Sequence, residues 1–239
     1  MTVHALIPAA GRGVRAGGAL PKQLREVAGR PLVAWAVSRL RAAGVASCVV
    51  AAPADLLDAV TAALADEHEV SVVVGGHTRQ ESVALALQAS SAAPTDWIAV
   101  HDAARAAVHP DDVAAAFAVA RDSDGAVLGR GVTDTVKRLE GGHVVATVDR
   151  ATLFRAETPQ VFRRELLERA LARAAADGFV GTDESSLVER LPGIHVVAVT
   201  ACFPNPKVTF ASDLGWVESL LAATAAPDGA VAPAPGTPR

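Results

Sequence analysis

Short runs of β-branched residues alternate with stretches rich in Ala and Leu along almost the whole chain. The runs predict strands at residues 3–8, 47–52, 70–74, 97–101, 125–130 and 194–199. The stretches between them predict helices at residues 31–43, 55–66, 79–90, 111–121, 163–177, 183–190 and 212–222. Such alternation is typical of a Rossmann-like α/β fold, a mostly parallel sheet with helices on both faces. Ligands of such sheets bind beyond the carboxyl ends of the strands.

The composition is that of a globular protein without a general affinity for nucleic acid or acidic membranes. Apolar residues make up 51% of the 239 residues, charged residues make up 20%, and the formal net charge is -4. Because no apolar run approaches the roughly 20 residues of a membrane span and no leader precedes the first strand, we expect a cytoplasmic protein. Cys48 and Cys202 are too isolated for a disulfide framework or a zinc site, and we predict packed core thiols.

Residues 132–150, "VTDTVKRLEGGHVVATVDR", interrupt the alternation. Two extended runs flank Gly141 and Gly142, which is typical of a hairpin turn. Since a two-stranded ribbon is only marginally stable alone, we expect residues 132–156 to form a protruding arm that packs on a partner subunit. Residues 223–239 have many prolines and no apolar periodicity, which predicts a disordered tail behind a single domain of residues 1–222.

The first strand leads into a long, basic, glycine-rich loop, "PAAGRGVRAGGALPKQL", instead of a helix. A P-loop is excluded because Lys22 follows Pro21 and precedes Gln23. A dinucleotide fingerprint needs an immediate helix and an acid at the end of the second strand, and neither is present. A third interpretation is a loop whose N–H groups approach a triphosphate while Arg15 and Lys22 supply charge. A solvated surface loop is the remaining alternative.

The chain resembles the 2-C-methyl-D-erythritol 4-phosphate cytidylyltransferase family in this loop and in several later segments. The resemblance rests on blocks that occur in the family's order: "AAGRGVRAGGALPKQ" (9–23), "GGHTRQESV" (75–83), "HDAAR" (101–105), "DTVK" (134–137), "VDR" (148–150), "TPQVF" (158–162), "TDESSLVE" (182–189) and "KVT" (207–209). It implies a nucleotidyltransferase that converts CTP and methylerythritol phosphate into the CDP-alcohol and pyrophosphate, in non-mevalonate isoprenoid synthesis.

The resemblance also implies the roles of particular residues. The implied catalytic residues are Arg15, Lys22, Arg150 and Lys207. The implied nucleotide-binding residues are Pro8, Ala9, Ala10, Gly11, Gly13, Gly75, Gly76, Ser82, Asp102 and Ala103. The implied polyol-binding residues are Arg105, Thr135, Arg150, Thr158, Thr182 and Lys207. The family pairs two hairpin arms across a twofold axis, which implies a homodimer in which Arg150 reaches the neighbour's site.

The residue types fit the chemistry that the resemblance implies. A phosphate oxygen attacks the α-phosphorus of CTP, so cations must neutralise charge on both sides of the transferring group and no protein nucleophile is needed. Asp102 follows a predicted strand, and a carboxylate there suits Mg²⁺, although it could also cap a turn. We interpret His101 as a core residue and Arg79 as a helix-surface residue.

Three departures from the family pattern accompany these residues. His77 stands where the family often has an acid, Ala106 replaces a common proline, and residues 202–206 differ from the usual approach to Lys207. Transfer to ribitol phosphate or another sugar alcohol phosphate stays open as an alternative reaction. An inactive nucleotide sensor and a dehydrogenase are alternatives from other functional classes.

Overall fold

The computed structural model describes residues 1–11 and 21–225. Its strands are β1 (Val3–Pro8), β2 (Glu26–Val27), β3 (Arg30–Pro31), β4 (Ser47–Ala52), β5 (Val70–Val74), β6 (Trp97–Val100), β7 (Gly125–Gly131), β8 (Val136–Glu140), β9 (His143–Val148), β10 (Phe154–Arg163) and β11 (Val196–Thr200). Its α-helices are α1 (Leu32–Ala42), α2 (Leu57–Ala63), α3 (Arg79–Ala89), α4 (Pro110–Arg121), α5 (Arg164–Ala176), α6 (Glu184–Val188) and α7 (Asp213–Ala225). None of the helices in these described residues is long and apolar enough to cross a bilayer.

Seven strands form one sheet in the order β11-β7-β10-β6-β1-β4-β5. Strand β10 runs antiparallel to both β6 and β7, and the other neighbouring pairs are parallel. All six strands predicted from the sequence belong to this sheet, so the mostly parallel α/β fold is confirmed. Strand β10 was not predicted, because Pro159 and the charged residues around it interrupt the apolar pattern. Its register with β7 shifts between Ala156 and Gln160.

Helices cover both faces of the sheet. One core cluster joins β1 to α1, α2 and α4 through residues such as Ile7, Val37 and Phe117. The other joins the opposite face of the sheet to α3, α5 and α6 through residues such as Leu6 and Leu167. Because successive side chains of a strand point to opposite faces, Leu6 and Ile7 anchor different helix layers.

Helix α7 packs against β2 and the loops at one end of the sheet. A third cluster of buried residues, Val27, Leu32, Ala106, Val208 and Leu221 among them, joins these parts. The helix continues to Ala225, past the predicted end at residue 222. The rest of the predicted tail, residues 226–239, lies outside the described residues.

Strands β8 and β9 form the predicted hairpin, but residues 154–156, which were predicted to belong to the arm, are the start of β10 and pair with β7 in the main sheet. Gly141 and Gly142 at the tip of the hairpin have φ values of 53° and 82°, a left-handed pair that favours glycine and matches the twist of a tight hairpin.

The two cysteines differ in burial. Cys48 is buried in β4, as predicted, but the prediction for Cys202 is wrong, because this residue lies exposed just after β11.

Candidate active site

A cavity opens at the carboxyl end of β1, between the start of the glycine-rich loop and the first turn of α3. Eight predicted nucleotide-binding residues line this cavity, which we call the nucleotide cavity: Pro8, Ala9, Ala10, Gly11, Gly76, Ser82, Asp102 and Ala103. Lys22, at the start of a short 3-10 turn, and Lys207 also line it. Gly13 and Arg15 lie outside the described residues. The loops that follow β1, β5 and β6 therefore lie together at the carboxyl edge of the sheet, as predicted for parallel strands.

Gly75 stands behind the cavity wall rather than in it. A Cβ atom at this position would lie 2.6 Å from the Cβ of Ala10 and 3.0 Å from the Oγ of Ser82. The missing side chain thus allows the β5–α3 loop to approach the loop after β1. The Ser82 hydroxyl accepts a hydrogen bond from the Gly76 N–H at 3.1 Å and donates one to the Thr78 carbonyl at 2.9 Å, so it also shapes the wall.

The first turn of α3 is held by a capping box. The Thr78 hydroxyl accepts the Glu81 N–H at 3.1 Å, while the Glu81 carboxylate accepts the N–H groups of His77 and Thr78 at 2.7 and 3.3 Å. These bonds satisfy N–H groups that a helix start would otherwise leave unpaired. They fix the backbone of residues 76–78, which forms one side of the nucleotide cavity.

Asp102, at the end of β6, is surrounded by cations. Its Oδ1 accepts a hydrogen bond from Arg79 Nε at 3.1 Å, and its Oδ2 lies 2.7 Å from Lys207 Nζ and 3.9 Å from Arg105 Nε. Burial of this carboxyl opposes ionisation, but the charges of Arg79, Lys207 and Arg105 outweigh burial and hold the pKa of Asp102 well below its usual range. Asp102 is therefore an anion that organises three positive side chains.

Arg79 was predicted to be a helix-surface residue, and that prediction is wrong. Its Nη1 and Nη2 donate to the two carboxylate oxygens of Glu184 at 2.6 and 2.9 Å, while its Nε binds Asp102. The Glu184 side chain is only 1% exposed. Burial raises the pKa of Glu184, and the facing guanidinium of Arg79 opposes that shift. Charged residues in a helical segment gave no sequence signal for this pairing, since only the tertiary fold brings α3 and α6 together.

A second cavity adjoins the first and shares Arg79, Asp102 and Lys207 with it. We call it the polyol cavity. Four of the predicted polyol-binding residues line it: Arg105, Thr158, Thr182 and Lys207. Glu157 and Gln160, which lie in β10 and were not predicted as site residues, line the same cavity. The structure thus brings two predicted sets of residues together at Asp102 and Lys207.

Thr158 and His101 form a buried link under the polyol cavity. The Thr158 hydroxyl accepts the Asp102 N–H at 3.1 Å, and Nδ1 of His101 lies 3.0 Å from the same oxygen. His101 is fully buried, and burial lowers its pKa to about 4. The prediction that His101 is a core residue is confirmed. The hydroxyl of Thr158 contributes to the position of Asp102.

Lys207 lies on an irregular segment that is fixed at several points. The Asp112 carboxylate accepts the N–H groups of Cys202 and Phe203 at 2.8 and 2.9 Å. The Phe203 ring stacks on the His109 ring with centroids 3.7 Å apart. The backbone carbonyl of Phe203 accepts a hydrogen bond from Arg130. These contacts, which we call the 202–207 clamp, give the unusual approach to Lys207 a defined path.

Two more contacts hold the same segment from the other side. Arg105 donates to the Asn205 carbonyl at 2.7 Å, and the Asn205 side chain donates to the Thr158 carbonyl at 2.9 Å. Beyond Lys207, the N–H of Val208 donates to the Ala104 carbonyl at 2.9 Å. Arg105 therefore supports the segment in addition to lining the polyol cavity.

Thr135 and Arg150 are not at the site of their own chain. Thr135 precedes β8, and Arg150 follows β9 and donates to the Thr133 carbonyl at 2.6 Å. Neither residue lines the nucleotide cavity or the polyol cavity. Thus the predicted site residues within the described chain divide into a group at the end of the sheet and a pair at the base of the arm.

The described residues contain no group of three or more His, Cys, Asp or Glu side chains suited to hold a metal ion. Asp102 is the one carboxylate among the described lining residues of the nucleotide cavity. A single carboxylate matches the way Mg²⁺ binds at phosphate-transfer sites, where substrate phosphates and water complete the coordination.

The chain is similar to known proteins over most of its length. The chain is 44% identical to a 2-C-methyl-D-erythritol 4-phosphate cytidylyltransferase from Bordetella petrii over 222 residues, which cover 91% of this chain and 97% of the relative. A relative of the same name from Cereibacter sphaeroides is 41% identical over 227 residues, covering 94% of this chain and 99% of the relative.

Solved structures extend this likeness to the fold. The crystal structure of 2-C-methyl-D-erythritol 4-phosphate cytidylyltransferase from Thermus thermophilus is 32% identical, with a TM-score of 0.76 over 93% of this chain and 100% of that chain. The sequence profile of the family IspD, 2-C-methyl-D-erythritol 4-phosphate cytidylyltransferase, matches residues 3–223. Because this profile and these relatives match nearly the whole chain, the chain belongs to the 2-C-methyl-D-erythritol 4-phosphate cytidylyltransferase family.

Proposed function

We propose that this chain carries out its family's reaction through the two adjoining cavities at the end of the sheet. CTP and 2-C-methyl-D-erythritol 4-phosphate give 4-diphosphocytidyl-2-C-methyl-D-erythritol and pyrophosphate. The observation that carries the proposal is the shared wall of the two cavities, where Lys207 and Arg79 both contact Asp102. This is where the phosphate of the alcohol can meet the α-phosphate of the nucleotide.

In this proposal the nucleotide cavity holds CTP. The cytosine ring lies against the backbone of Ala9, Ala10 and Gly76, where small residues leave room for a flat base. Lys22, which lines the cavity, and Arg15, whose role is inferred from the family resemblance, neutralise the negative charge that grows on the departing pyrophosphate. Cations that act mainly on this developing charge lower the barrier more than they strengthen binding.

The polyol cavity positions the second substrate. Lys207 and Arg105 bind its phosphate, and Thr182 offers a hydroxyl partner to the polyol. A non-bridging oxygen of that phosphate attacks the α-phosphorus, the bond from the α-phosphorus to the bridging oxygen breaks, and pyrophosphate departs with the electron pair. The attacking oxygen is already anionic, so the residues of this chain orient it and do not need to remove a proton.

Asp102 fits a role as the protein ligand of Mg²⁺. Its carboxylate is ionised, faces the nucleotide cavity and leaves the other coordination positions to phosphate oxygens and water. When bound, the ion would neutralise part of the phosphate charge. Lys207, whose Nζ lies 2.7 Å from Asp102 Oδ2, binds the incoming phosphate beside this carboxylate.

We also propose a cytoplasmic homodimer joined through the hairpin arms. Leu139, Val144 and Val145 on the arm are 59, 63 and 48% exposed, an apolar set that a partner subunit would cover. In a twofold dimer the same arm would carry Thr135 and Arg150 to the partner's polyol cavity. The cytoplasm is the compartment that supplies CTP.

The test of the function is pyrophosphate release by the purified chain with CTP and Mg²⁺. Methylerythritol phosphate and ribitol phosphate are compared as acceptors, and UTP replaces CTP in a parallel reaction. We expect turnover with CTP and methylerythritol phosphate and far slower turnover in the other two reactions. Faster turnover with ribitol phosphate would assign the alternative acceptor, and CTP binding without pyrophosphate release would indicate a nucleotide sensor.

A further inference from the structure

Arg79 is the structural junction between three elements that line the two cavities. It is the first residue of α3 and lies within the Thr78–Glu81 capping box that fixes one side of the nucleotide cavity. Its Nε binds Asp102 at the end of β6, and both of its terminal nitrogens bind Glu184, the first residue of α6. A planar guanidinium with all three nitrogens occupied has little freedom to turn independently of its partners.

Glu184 carries this connection into the polyol cavity. Thr182 and Asp183, which precede it in the chain, line that cavity. The Asp183 side chain caps α6 by accepting the Ser186 N–H at 3.0 Å, and it also accepts a hydrogen bond from Gln160 at 2.8 Å. The start of α6 is therefore bound on one side to β10 and on the other side to Arg79.

The burial of the pair makes its geometry restrictive. Glu184 is 1% exposed, and among the described residues it forms an ion pair with Arg79. If the two hydrogen bonds from Arg79 were broken, the Glu184 carboxylate would stay buried without an opposite charge. States in which the two side chains separate are therefore strongly disfavoured. Movements of the first turn of α3 and of the start of α6 are consequently linked.

We infer that Arg79 and Glu184 form a positioning pair that couples the nucleotide cavity to the polyol cavity. A nucleotide that contacts residues 76–78 fixes the first turn of α3. The paired hydrogen bonds from Arg79 then fix Glu184 and the loop that carries Thr182. The inference rests on the proposed function for the identity of the two ligands. It assigns neither residue a role in bond making or breaking.

The test measures the affinity for methylerythritol phosphate by calorimetry, with and without α,β-methylene CTP, which cannot transfer its cytidylyl group. We expect the nucleotide analogue to tighten polyol binding at least about fivefold in the native protein. Glu184→Gln and Arg79→Lys should each reduce this ratio to less than about twofold, and the double variant should be no worse than either single variant, because the two residues act as a unit.

The matched control is Glu189→Gln, which changes an exposed carboxylate at the other end of α6. It should keep the native coupling ratio, and thermal unfolding identifies which variants are folded. A folded Glu184→Gln or Arg79→Lys variant with the native ratio would overturn the inference. So would a native ratio close to one.

Hydrogen exchange in the native protein tests the pair without any substitution. Residues 184–188 lie outside the nucleotide cavity, so binding of the nucleotide analogue alone should slow their amide exchange only if α3 and α6 are linked. Unchanged exchange in α6, with slowed exchange in residues 76–82, would refute the coupling. Lack of pyrophosphate release from CTP and methylerythritol phosphate would instead contradict the proposed function.

Discussion

Substitution of Asp112 tests whether the 202–207 clamp both stabilises the fold and positions Lys207. Asp112 is 3% exposed, lies in the first turn of α4 and lines neither the nucleotide cavity nor the polyol cavity. Its two carboxylate oxygens accept the N–H groups of Cys202 and Phe203 at 2.8 and 2.9 Å. In Asp112→Asn one oxygen is kept, while the other becomes an amide that faces an N–H donor.

The magnitude follows from these two bonds. A hydrogen bond to a charged acceptor contributes roughly 1.5–3 kcal/mol, and a neutral one about 1 kcal/mol. The variant keeps one neutral bond and loses the other, and solvent partly reaches the freed N–H group. We therefore expect the free energy of unfolding to fall by about 2–3 kcal/mol. Asp111→Asn is the matched control, since Asp111 shares the helix start but its side chain is 81% exposed.

The assay is urea unfolding of both variants, followed by tryptophan fluorescence, together with steady-state kinetics. Asp111→Asn accounts for the helix-dipole contribution, which is about 0.3–1 kcal/mol. Asp112→Asn should also lower kcat/KM about tenfold, because Lys207 follows the released backbone. Equal unfolding free energies for the two variants, within about 0.5 kcal/mol, would refute the stabilising role of the clamp. Unchanged kinetics in a destabilised Asp112→Asn would refute its link to Lys207.

Four further predictions concern the charges, the metal, the arm and the thiols. Lys22→Ala should lower kcat about 100-fold while CTP affinity, measured by titration, changes far less; equal losses would contradict a transition-state role. Asp102→Asn should raise the Mg²⁺ concentration needed for half-maximal rate, and an unchanged metal response would assign Asp102 to structure alone. Inactive Lys22→Ala and Arg150→Ala homodimers should regain about a quarter of native activity after subunit exchange, whereas no recovery despite labelled exchange would exclude a shared site. A disulfide reagent at pH 8 should label exposed Cys202 quickly and Cys48 slowly, because burial raises the Cys48 pKa to about 12 and keeps this thiol protonated; rapid labelling of two thiols would contradict this.

The alternation of strands and helices could be predicted from the sequence because it depends on local periodicity. Burial on both faces gave β1 and β4 mostly apolar runs, and helices such as α1, α4 and α5 repeat their apolar residues at the spacing of one face. Gly141 and Gly142 likewise predicted the hairpin, since a tight turn with positive φ at two positions favours glycine. The fold class predicted that ligands bind beyond the carboxyl ends of the strands. The resemblance to the family indicated which residues at that edge form the site.

Strand β10 could not be predicted in the same way. Its pattern is interrupted by Glu157 and Pro159, and its place between β6 and β7 depends on pairing with strands far away in the chain. Three polar residues of this strand, Glu157, Thr158 and Gln160, line the polyol cavity. A local rule fails here because the strand is shaped partly by the needs of the site.

The tertiary structure alone decided which charges meet. The sequence places Arg79 on a helix and Glu184 more than 100 residues later, and nothing local distinguishes either from a solvated side chain. Their pairing, and the convergence of Arg79, Lys207 and Arg105 on Asp102, require the sheet to bring α3, α6 and β6 together. Electrostatic interactions depend on distance and burial, which are properties of the folded chain and not of residue spacing.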